Sequence, residues 1–219
     1  MWPALPFFCF GVLIESKSQI FKPARSCDSR LFSAYYNTRT EKFFEFYKKE
    51  ILSARQNPTK SGNALARLEK EGKLDCIITG NIYEIAQQCG CRNVINLHGS
   101  IYKNWCPHCH KEYSLDYIMQ AKTIPRCEHC HSVVRPLVSL FGEMVDSQVM
   151  TRATVEMEKA ELLILLGTNM NSELFSNYIR YFDGKEIIIV HQRAHFLDKQ
   201  ADLVFIDEPQ NVLSEVLEP

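Results

Sequence analysis

The chain has 219 residues, of which 46% are hydrophobic and 23% charged, an ordinary balance for one medium domain or a domain with a small insertion. Its formal net charge of −1 provides no general attraction to nucleic acid or anionic lipid, so neither partner is expected. The apolar run 2–14 follows no Lys or Arg and is too short to cross a bilayer. We interpret it as part of a buried first strand.

Strands and helices alternate along the rest of the chain. The expected strands cover residues 7–14, 74–79, 93–97, 162–166, 186–190 and 201–206, with an extended stretch at 133–141. The expected helices cover residues 30–55, 63–72, 83–89, 147–159, a segment ending at 181, and 211–217. The continuously apolar runs at 162–166 and 186–190 are typical of strands covered on both faces. The pattern predicts an α/β fold with a doubly wound, Rossmann-like parallel sheet.

Glycine-rich or polar turns follow four of these strands, beginning near Gly11, Thr79, His98 and Gly167. Because ligands bind beyond the carboxyl ends of parallel strands, the turns form a candidate nucleotide site. Turns of this kind also occur in any doubly wound protein. The pattern alone leaves both interpretations open.

Two Cys-x-x-Cys pairs separated by seventeen residues form the most specific motif: Cys106, Cys109, Cys127 and Cys130. Zinc prefers four soft ligands in a tetrahedron, and each pair offers two thiolates from one tight turn. The spacing therefore predicts a small inserted zinc-binding domain with one structural zinc ion. Two disulfides or four separate buried cysteines are the alternatives. Four nearby histidines can replace a ligand but are expected to be exposed turn residues: His108, His110, His129 and His131.

The other five of the nine cysteines are Cys9, Cys27, Cys76, Cys89 and Cys91. An odd number of thiols cannot all pair within one chain, and their spacing suggests no disulfide framework. A reducing compartment is the simpler interpretation, so we expect a cytoplasmic protein.

Several motifs, in order and at matching spacing, resemble the sirtuin family over nearly the whole chain. They are Gly72-Lys73-Leu74, Thr79-x-Asn81-Ile82, Asn93-Val94-Ile95-x-Leu97-His98-Gly99-Ser100, the two cysteine pairs, Arg135-Pro136, Phe141-Gly142-Glu143, Gly167-Thr168 and Ala201-Asp202-Leu203-Val204. Sirtuins are NAD-dependent protein-lysine deacylases in which the peptide lies between a Rossmann-like domain and a small zinc-binding domain. The resemblance implies an NAD-binding domain at residues 1–99 and 140–219 and a zinc module at 100–139. The helical segment 30–60 would pack near the module.

The resemblance also implies catalytic residues. His98 matches the base that helps a ribose hydroxyl of NAD attack the intermediate formed after the acyl oxygen displaces nicotinamide. An imidazole suits this role because its unperturbed pKa lies near neutrality. Asn81 matches the asparagine that holds the ribose and an ordered water. The implied substrate is an acylated lysine peptide or protein, and the products are nicotinamide, free lysine and O-acyl-ADP-ribose. A lone histidine outside such a motif would more simply be structural.

Binding residues are implied in the same way. Gly167 and Thr168 match the turn that meets the phosphates and adenosine, where glycine lets the backbone approach closely. The implied NAD-binding residues are Gly11, Phe21, Asn81, Gly167, Thr168, Asn169 and His191. The implied substrate-binding residues, in a segment that pairs with the peptide as an added strand, are Val138, Phe141, Gly142 and Glu143.

The chain departs from the family mainly where NAD is contacted. The family's first loop begins Gly-Ala-Gly-Ile-Ser, and Phe10 in the alanine position is expected to crowd the phosphates. Tyr83 stands where the family has the aspartate that recognises the nicotinamide amide. Asn169 and His191 replace a serine and an asparagine. Two hypotheses follow: a divergent NAD-dependent protein-lysine deacylase, or a catalytically impaired pseudo-sirtuin that acts as a peptide- or protein-binding zinc module.

Overall fold

The computed structural model describes residues 11–15, 28–55 and 57–217, with the backbone alone for 11–15 and 215–217. The chain forms two compact units. The large unit takes its described residues from Met1–Lys17, Asn57–Leu97 and Asp146–Pro219, and the small unit from Ser18–Gln56 and His98–Val145. The domain boundaries predicted from the sequence, with a zinc module at 100–139, stay a prediction.

The described strands are β1 (Gly11–Glu15), β2 (Cys76–Thr79), β3 (Val94–Asn96), β4 (Gly99–Trp105), β5 (Glu112–Tyr113), β6 (Arg135–Val138), β7 (Leu162–Leu166), β8 (Glu186–His191) and β9 (Leu203–Ile206). The described α-helices are α1 (Ser33–Thr38), α2 (Thr40–Phe46), α3 (Lys60–Lys70), α4 (Ile85–Gln88), α5 (Leu115–Gln120), α6 (Ser147–Lys159), α7 (Ser176–Ile179) and α8 (Pro209–Leu217). Among the described residues, none of the helices has the length and hydropathy of a bilayer-spanning segment.

Six strands of the large unit form a parallel sheet in the order β3-β2-β1-β7-β8-β9. Counted within this sheet alone, the order is 3-2-1-4-5-6, the Rossmann arrangement. The strand order reverses between β1 and β7, which is the topological switch point where such folds bind nucleotides. The predicted doubly wound α/β fold is confirmed.

Successive residues of each strand point to opposite faces and supply two hydrophobic cores. On one face, the buried Leu163 of β7 belongs to a cluster with Met157 of α6. On the other face, Leu166 of the same strand belongs to a cluster with Leu65 of α3 and Leu213 of α8. Full burial of such a side chain contributes about 1.5–3 kcal/mol. Helices therefore cover both faces of the sheet.

The small unit is built on an antiparallel sheet in the order β5-β4-β6. An aromatic cluster from the first two helices forms part of its core. The Phe43 ring lies 5.0 Å from that of Tyr36, 5.4 Å from that of Phe44 and 5.5 Å from that of Tyr47, between ring centroids. Phe43 and Phe44 are fully buried.

The single helix predicted over residues 30–55 is wrong. The helix breaks at Arg39, where φ is −137° and ψ is 48°. The Thr38 hydroxyl donates to Ala34 O at 2.7 Å, a local bond that competes with the helical pattern. Beyond α2 the chain continues as a π-helical turn, Tyr47–Ile51, and a 3₁₀ turn, Leu52–Ala54.

Other helix bounds also differ from expectation. The third helix begins at Lys60 rather than 63, because the Thr59 hydroxyl accepts a hydrogen bond from Gly62 N–H at 3.0 Å and caps it. The seventh helix is only Ser176–Ile179, where a longer one through Tyr181 was predicted. Helix α5 was not predicted.

Candidate functional site

The four motif cysteines converge in the small unit. The Sγ atoms of Cys106, Cys109, Cys127 and Cys130 all lie within 4.8 Å of one another, and no described histidine joins the group. The Sγ atoms of Cys106 and Cys130 are 3.3 Å apart, and those of Cys109 and Cys127 are 3.4 Å apart. A zinc ion with Zn–S bonds of about 2.3 Å places its sulfurs about 3.8 Å apart. All four are free thiols, so the geometry fits one zinc ion and excludes the two-disulfide alternative.

Both cysteine knuckles are the same turn. The N–H of His110 donates to Cys106 O at 2.9 Å, and that of His131 donates to Cys127 O at 2.9 Å. Both histidines have φ of 59°, the left-handed conformation that closes each turn. The side chains of the four nearby histidines are exposed, as predicted: His108, His110, His129 and His131.

Tyr113 of β5 supports the thiolate cluster from outside. Its hydroxyl donates to Cys127 Sγ at 3.1 Å and accepts from Glu128 N–H at 2.8 Å. Burial alone would raise the pKa of the Cys127 thiol. Hydrogen bonds from the Tyr113 hydroxyl and from neighbouring backbone N–H groups outweigh burial and lower the pKa to about 5. Cys127 thus favours the thiolate form that a zinc ligand requires, whereas burial and the neighbouring thiols raise the pKa of Cys109 to about 12.

His98 precedes β4 and lies where β4 and β6 begin to pair. Its carbonyl oxygen accepts from Ser139 N–H at 3.0 Å, and the next residue, Gly99, pairs with Val138. Gly99 has φ of 75°, and a Cβ there would lie 1.9 Å from Leu137 O. Only glycine allows this approach, which places His98 beside the predicted peptide-binding segment within the small unit.

The His98 imidazole is half-buried, and this burial lowers its pKa. Within the part of the chain that the structure describes, its ring has no hydrogen-bond partner. At pH 7 the ring is therefore neutral and able to accept a proton, as a general base requires.

The segment after β6 is anchored through Phe141. Its N–H donates to Leu31 O at 2.9 Å, and its carbonyl accepts from Ser33 N–H at 3.0 Å. The Phe141 ring lies 5.4 Å from the Phe32 ring, between centroids. Both the backbone and the ring of Phe141 are therefore engaged within the small unit.

In the large unit, the turn after β2 is organised by Asn81, which is only 6% exposed. Its N–H donates to Thr79 Oγ1 at 3.1 Å, and its Oδ1 accepts from Tyr83 N–H at 2.6 Å. Tyr83 is almost fully buried. Thr79 pairs in register with Glu15 of β1, which also pairs with Leu166 of β7, so the carboxyl ends of these three strands are level.

The turn after β7 starts at Gly167, which has φ of 66° and donates its N–H to Val190 O at 2.7 Å. This bond joins the turn to β8, which is separated from β2 by β1 and β7. Thr168 is buried, and Asn169 Oδ1 accepts from Asn171 N–H at 2.9 Å. The turn thus lies at the carboxyl edge of the sheet, beside the switch point between β1 and β7.

The last residue of β8, His191, is buried beside a carboxylate. Its Nε2 lies 3.0 Å from Asp198 Oδ2, which also accepts from His195 N–H at 2.7 Å. The second carboxylate oxygen, Asp198 Oδ1, is buried without a hydrogen-bond partner among the described residues. An orphaned buried acceptor at the carboxyl edge of the sheet is what a ribose hydroxyl would satisfy.

Comparisons with known proteins agree with this geometry. The model of the Sir2 family matches residues 20–173. The NAD-dependent protein deacetylase of Clostridium acetobutylicum is 35% identical over 188 residues, covering 85% of this chain and 77% of that protein. The protein of the same name from Clostridium perfringens is 34% identical over 209 residues, covering 95% and 84%.

The chain belongs to the Sir2 family. A solved structure of Sir2 with a p53 peptide and NAD+ superimposes with a TM-score of 0.80 at 26% identity, covering 95% of this chain and 92% of that one. The family fold, with its parallel sheet and its four-cysteine group, is therefore present here.

One residue assigned by likeness to the Sir2 family is misplaced. Gly11 was predicted to open a turn at the carboxyl edge, but it is the first residue of β1 and pairs with Leu162 at the amino end of β7. Pairing on both sides fixes this register, so the loop after β1 begins beyond Glu15. Phe10 and Phe21, the other residues predicted to shape that loop, lie outside the described residues.

Sequence reasoning missed three side chains that shape the Sir2-family site. Tyr113 bonds a zinc-ligand sulfur, Asp198 holds His191, and Arg135 holds Glu143. The motif Arg135-Pro136 was noted without a role, and the other two carry no local signal. Their partners lie seven to fifteen residues away along the chain, at separations set by turns.

Proposed function

We propose that this Sir2-family protein is an NAD-dependent protein-lysine deacylase that acts on acylated lysines of a peptide or protein. The observation that carries the proposal is His98, a half-buried imidazole with a lowered pKa, backbone-bonded to the segment that would pair with the peptide. The naming of two Clostridium relatives as deacetylases supports the same activity.

The carboxyl edge of the large unit fits NAD as co-substrate. Gly167 brings its backbone to the edge with positive φ, and the orphaned Asp198 Oδ1 offers an acceptor beside His191. The residues that would hold NAD are Asn81, Gly167, Thr168, Asn169 and His191, and the role of Phe21 stays a prediction. When bound, NAD supplies an electrophilic ribose carbon with nicotinamide as its leaving group.

The catalytic work of the chain itself falls to two residues. Asn81, held by Thr79 and by the backbone of Tyr83, is fixed in one orientation and can position a ribose hydroxyl. His98 accepts the proton of such a hydroxyl, and its lowered pKa keeps it unprotonated at pH 7. A positioned general base of this kind contributes about 10²–10⁴-fold to a rate.

The small unit would hold the peptide and one structural zinc ion. Val138, Gly142 and Glu143 would supply backbone and side-chain contacts to an added strand, with the Phe141 ring beside them. Cys106, Cys109, Cys127 and Cys130 would bind the zinc. The free thiols favour the cytoplasm, and the near-zero net charge favours neither a nucleic-acid nor a membrane partner.

The test uses the purified protein, NAD and an acetyl-lysine peptide, with nicotinamide and O-acetyl-ADP-ribose measured by mass spectrometry. Wild type should form both products in equal amounts. His98→Ala should lower the rate by about 10²–10⁴-fold with unchanged zinc content. The exposed His129→Ala is the matched control and should keep full activity. Equal activity in His98→Ala would refute the assigned role, and a wild type that binds peptide without releasing nicotinamide would instead support the pseudo-sirtuin hypothesis.

A further inference from the structure

The peptide-binding segment ends in a turn that is closed twice. The N–H of Glu143 donates to Leu140 O at 3.1 Å, and Gly142 at the third position has φ of 85°, as a type II turn requires. The carboxylate of Glu143 then folds back, and its Oε2 accepts from Leu140 N–H at 2.9 Å. Both backbone polar groups of Leu140 are thus bound by one residue, so the shape of the turn depends on where Glu143 sits.

Arg135, the first residue of β6, determines that position. Its Nη2 lies 2.5 Å from Oε1 and 2.6 Å from Oε2 of Glu143. The two side chains are only 28% and 22% exposed, so water screens the pair less than it screens a surface ion pair. Charge-assisted bonds of this length are the strong ones in proteins.

Arg135 is itself held in place from two sides. It pairs with Trp105 of β4 in the sheet, and its guanidinium carbon lies 5.1 Å from the centroid of the Tyr36 ring in α1. A cation over an aromatic face at this distance is attracted by the ring. We call the Arg135–Glu143 ion pair the Arg135 clamp. It connects β6 and α1 of the small unit to the turn at residues 140–143.

The segment from Val138 to Glu143 is consequently fixed at both ends. At one end, Val138 pairs with Gly99, next to His98. At the other end, the Arg135 clamp holds Glu143. An incoming peptide strand meets a preformed backbone between these points and does not have to order it, which is how pre-organisation raises affinity.

We propose that Arg135 is a positioning residue for peptide binding, acting through Glu143 on the turn at residues 140–143. The proposal rests on the proposed function of this segment as the peptide site. Arg135 touches neither reacting group, so its loss should weaken peptide binding and leave the chemical step at His98 unchanged. In kinetic terms, KM for the peptide rises while kcat stays constant.

The decisive variant is Arg135→Lys, which keeps the charge but lacks the planar guanidinium that reaches both Glu143 oxygens through Nη2 and lies over the Tyr36 ring. We expect peptide KM and Kd to rise about tenfold, the loss expected for one charge-assisted hydrogen bond, with kcat changed by less than about twofold. Glu143→Gln should have a similar effect. The double variant should be no worse than either single one, because both remove the same contact.

The matched control is Arg67→Lys, the same substitution in an exposed ion pair with Glu71 on α3 of the large unit. It should leave peptide KM, kcat and NAD affinity unchanged. A KM shift of equal size in this control would show a general effect of the substitution and overturn the proposal.

Hydrogen exchange separates the positioning claim from the proposed activity. In the free protein, the amides of Leu140 and Glu143 should exchange faster in Arg135→Lys than in wild type, while the knuckle amides of His110 and His131 stay protected. Faster exchange and weaker peptide binding without any wild-type turnover would uphold the positioning role and refute the deacylase. Unchanged exchange and unchanged peptide affinity in Arg135→Lys, or a wild type that binds no acyl-lysine peptide, would overturn the proposal.

Discussion

The two units build their sites by different physical means. In the small unit, backbone geometry does most of the work: two identical turns present the four sulfurs, and the close approach at Gly99 places His98 beside β6. In the large unit, the candidate NAD contacts include single side chains on separate turns, among them Asn81, Asn169 and His191. A single substitution can change such a contact and leave the sheet intact. Cofactor contacts can therefore diverge while the fold is kept, whereas loss of one zinc-ligand cysteine is expected to disrupt the small unit.

Removing zinc should have the largest effect on stability, and the loss of structure should be confined to the small unit. Cys106→Ser, or chelation, should release the metal and unfold the zinc module, because structural zinc contributes about 10–16 kcal/mol to such modules. The adjacent Trp105, 5.2 Å from the His110 ring between centroids, reports the change through its fluorescence. Metal analysis gives the zinc content.

Cys89→Ser, at a cysteine of the large unit outside the four-cysteine group, serves as the control and should keep its zinc. A metal-free chain that melts at the wild-type temperature would contradict the structural role of the four cysteines.

Gly99→Ala should have the next largest effect on stability, because a Cβ would lie 1.9 Å from the backbone carbonyl oxygen of Leu137. We expect destabilisation of about 3 kcal/mol or more, measured by denaturant unfolding. Gly72→Ala is the matched control: Gly72 also has positive φ, but nothing lies within 4 Å of its Cβ position. Gly72→Ala should lose only about 1–2 kcal/mol of stability, from the strain of placing alanine in the left-handed conformation. Equal losses in both variants would show that close approach at Gly99 is unimportant.

The pH dependence of His98 should be intermediate in size. Burial lowers its pKa, so the neutral base persists below the ordinary histidine pKa of about 6.5. The acid limb of the kcat/KM profile, which reports the free enzyme, should therefore lie below that value. Between about pH 6.5 and the lowered pKa, the unfolded state binds more protons than the folded state. The contribution of His98 therefore lowers the free energy of unfolding as the pH falls through that window.

His98→Gln should remove this share of the pH dependence in denaturant unfolding. An acid limb above pH 6.5 would contradict the effect of burial.

Asp198→Asn should have the smallest effect on stability and a selective effect on the ligand. Its carboxylate accepts from His191 and from the backbone of His195. Replacing it should cost about 1 kcal/mol of unfolding free energy and weaken ADP-ribose binding several-fold. Zinc content and peptide affinity should stay at wild-type values, because Asp198 belongs to the large unit and the zinc and peptide residues belong to the small unit. A loss of zinc in this variant would contradict the claim that the metal site of the small unit does not depend on the ligand contacts of the large unit.

Local patterns predicted those elements whose ends are set by neighbouring residues. The run at 162–166 and the helix at 147–159 have the bounds observed, the latter because Asp146 caps it through Gln148 and Val149 N–H. The cysteine spacing predicted the sulfur cluster because each knuckle is a local turn.

What could not be predicted depends on distant partners. The register of Gly11 follows from pairing with β2 and β7, and the break at Arg39 interrupts an otherwise helical pattern that packs as an aromatic cluster. The Arg135–Glu143 contact spans a turn whose shape it helps to create. Such contacts become visible only once the fold has brought the residues together.

The central claim is that the large unit remains a dinucleotide site despite its altered side chains. Calorimetric titration of wild type with NAD and with ADP-ribose tests this claim most directly. We expect saturable binding of both ligands and a rise in melting temperature with NAD, because a ligand that binds only the folded state stabilises it. Absence of both heat and melting shift at millimolar NAD and ADP-ribose would contradict it.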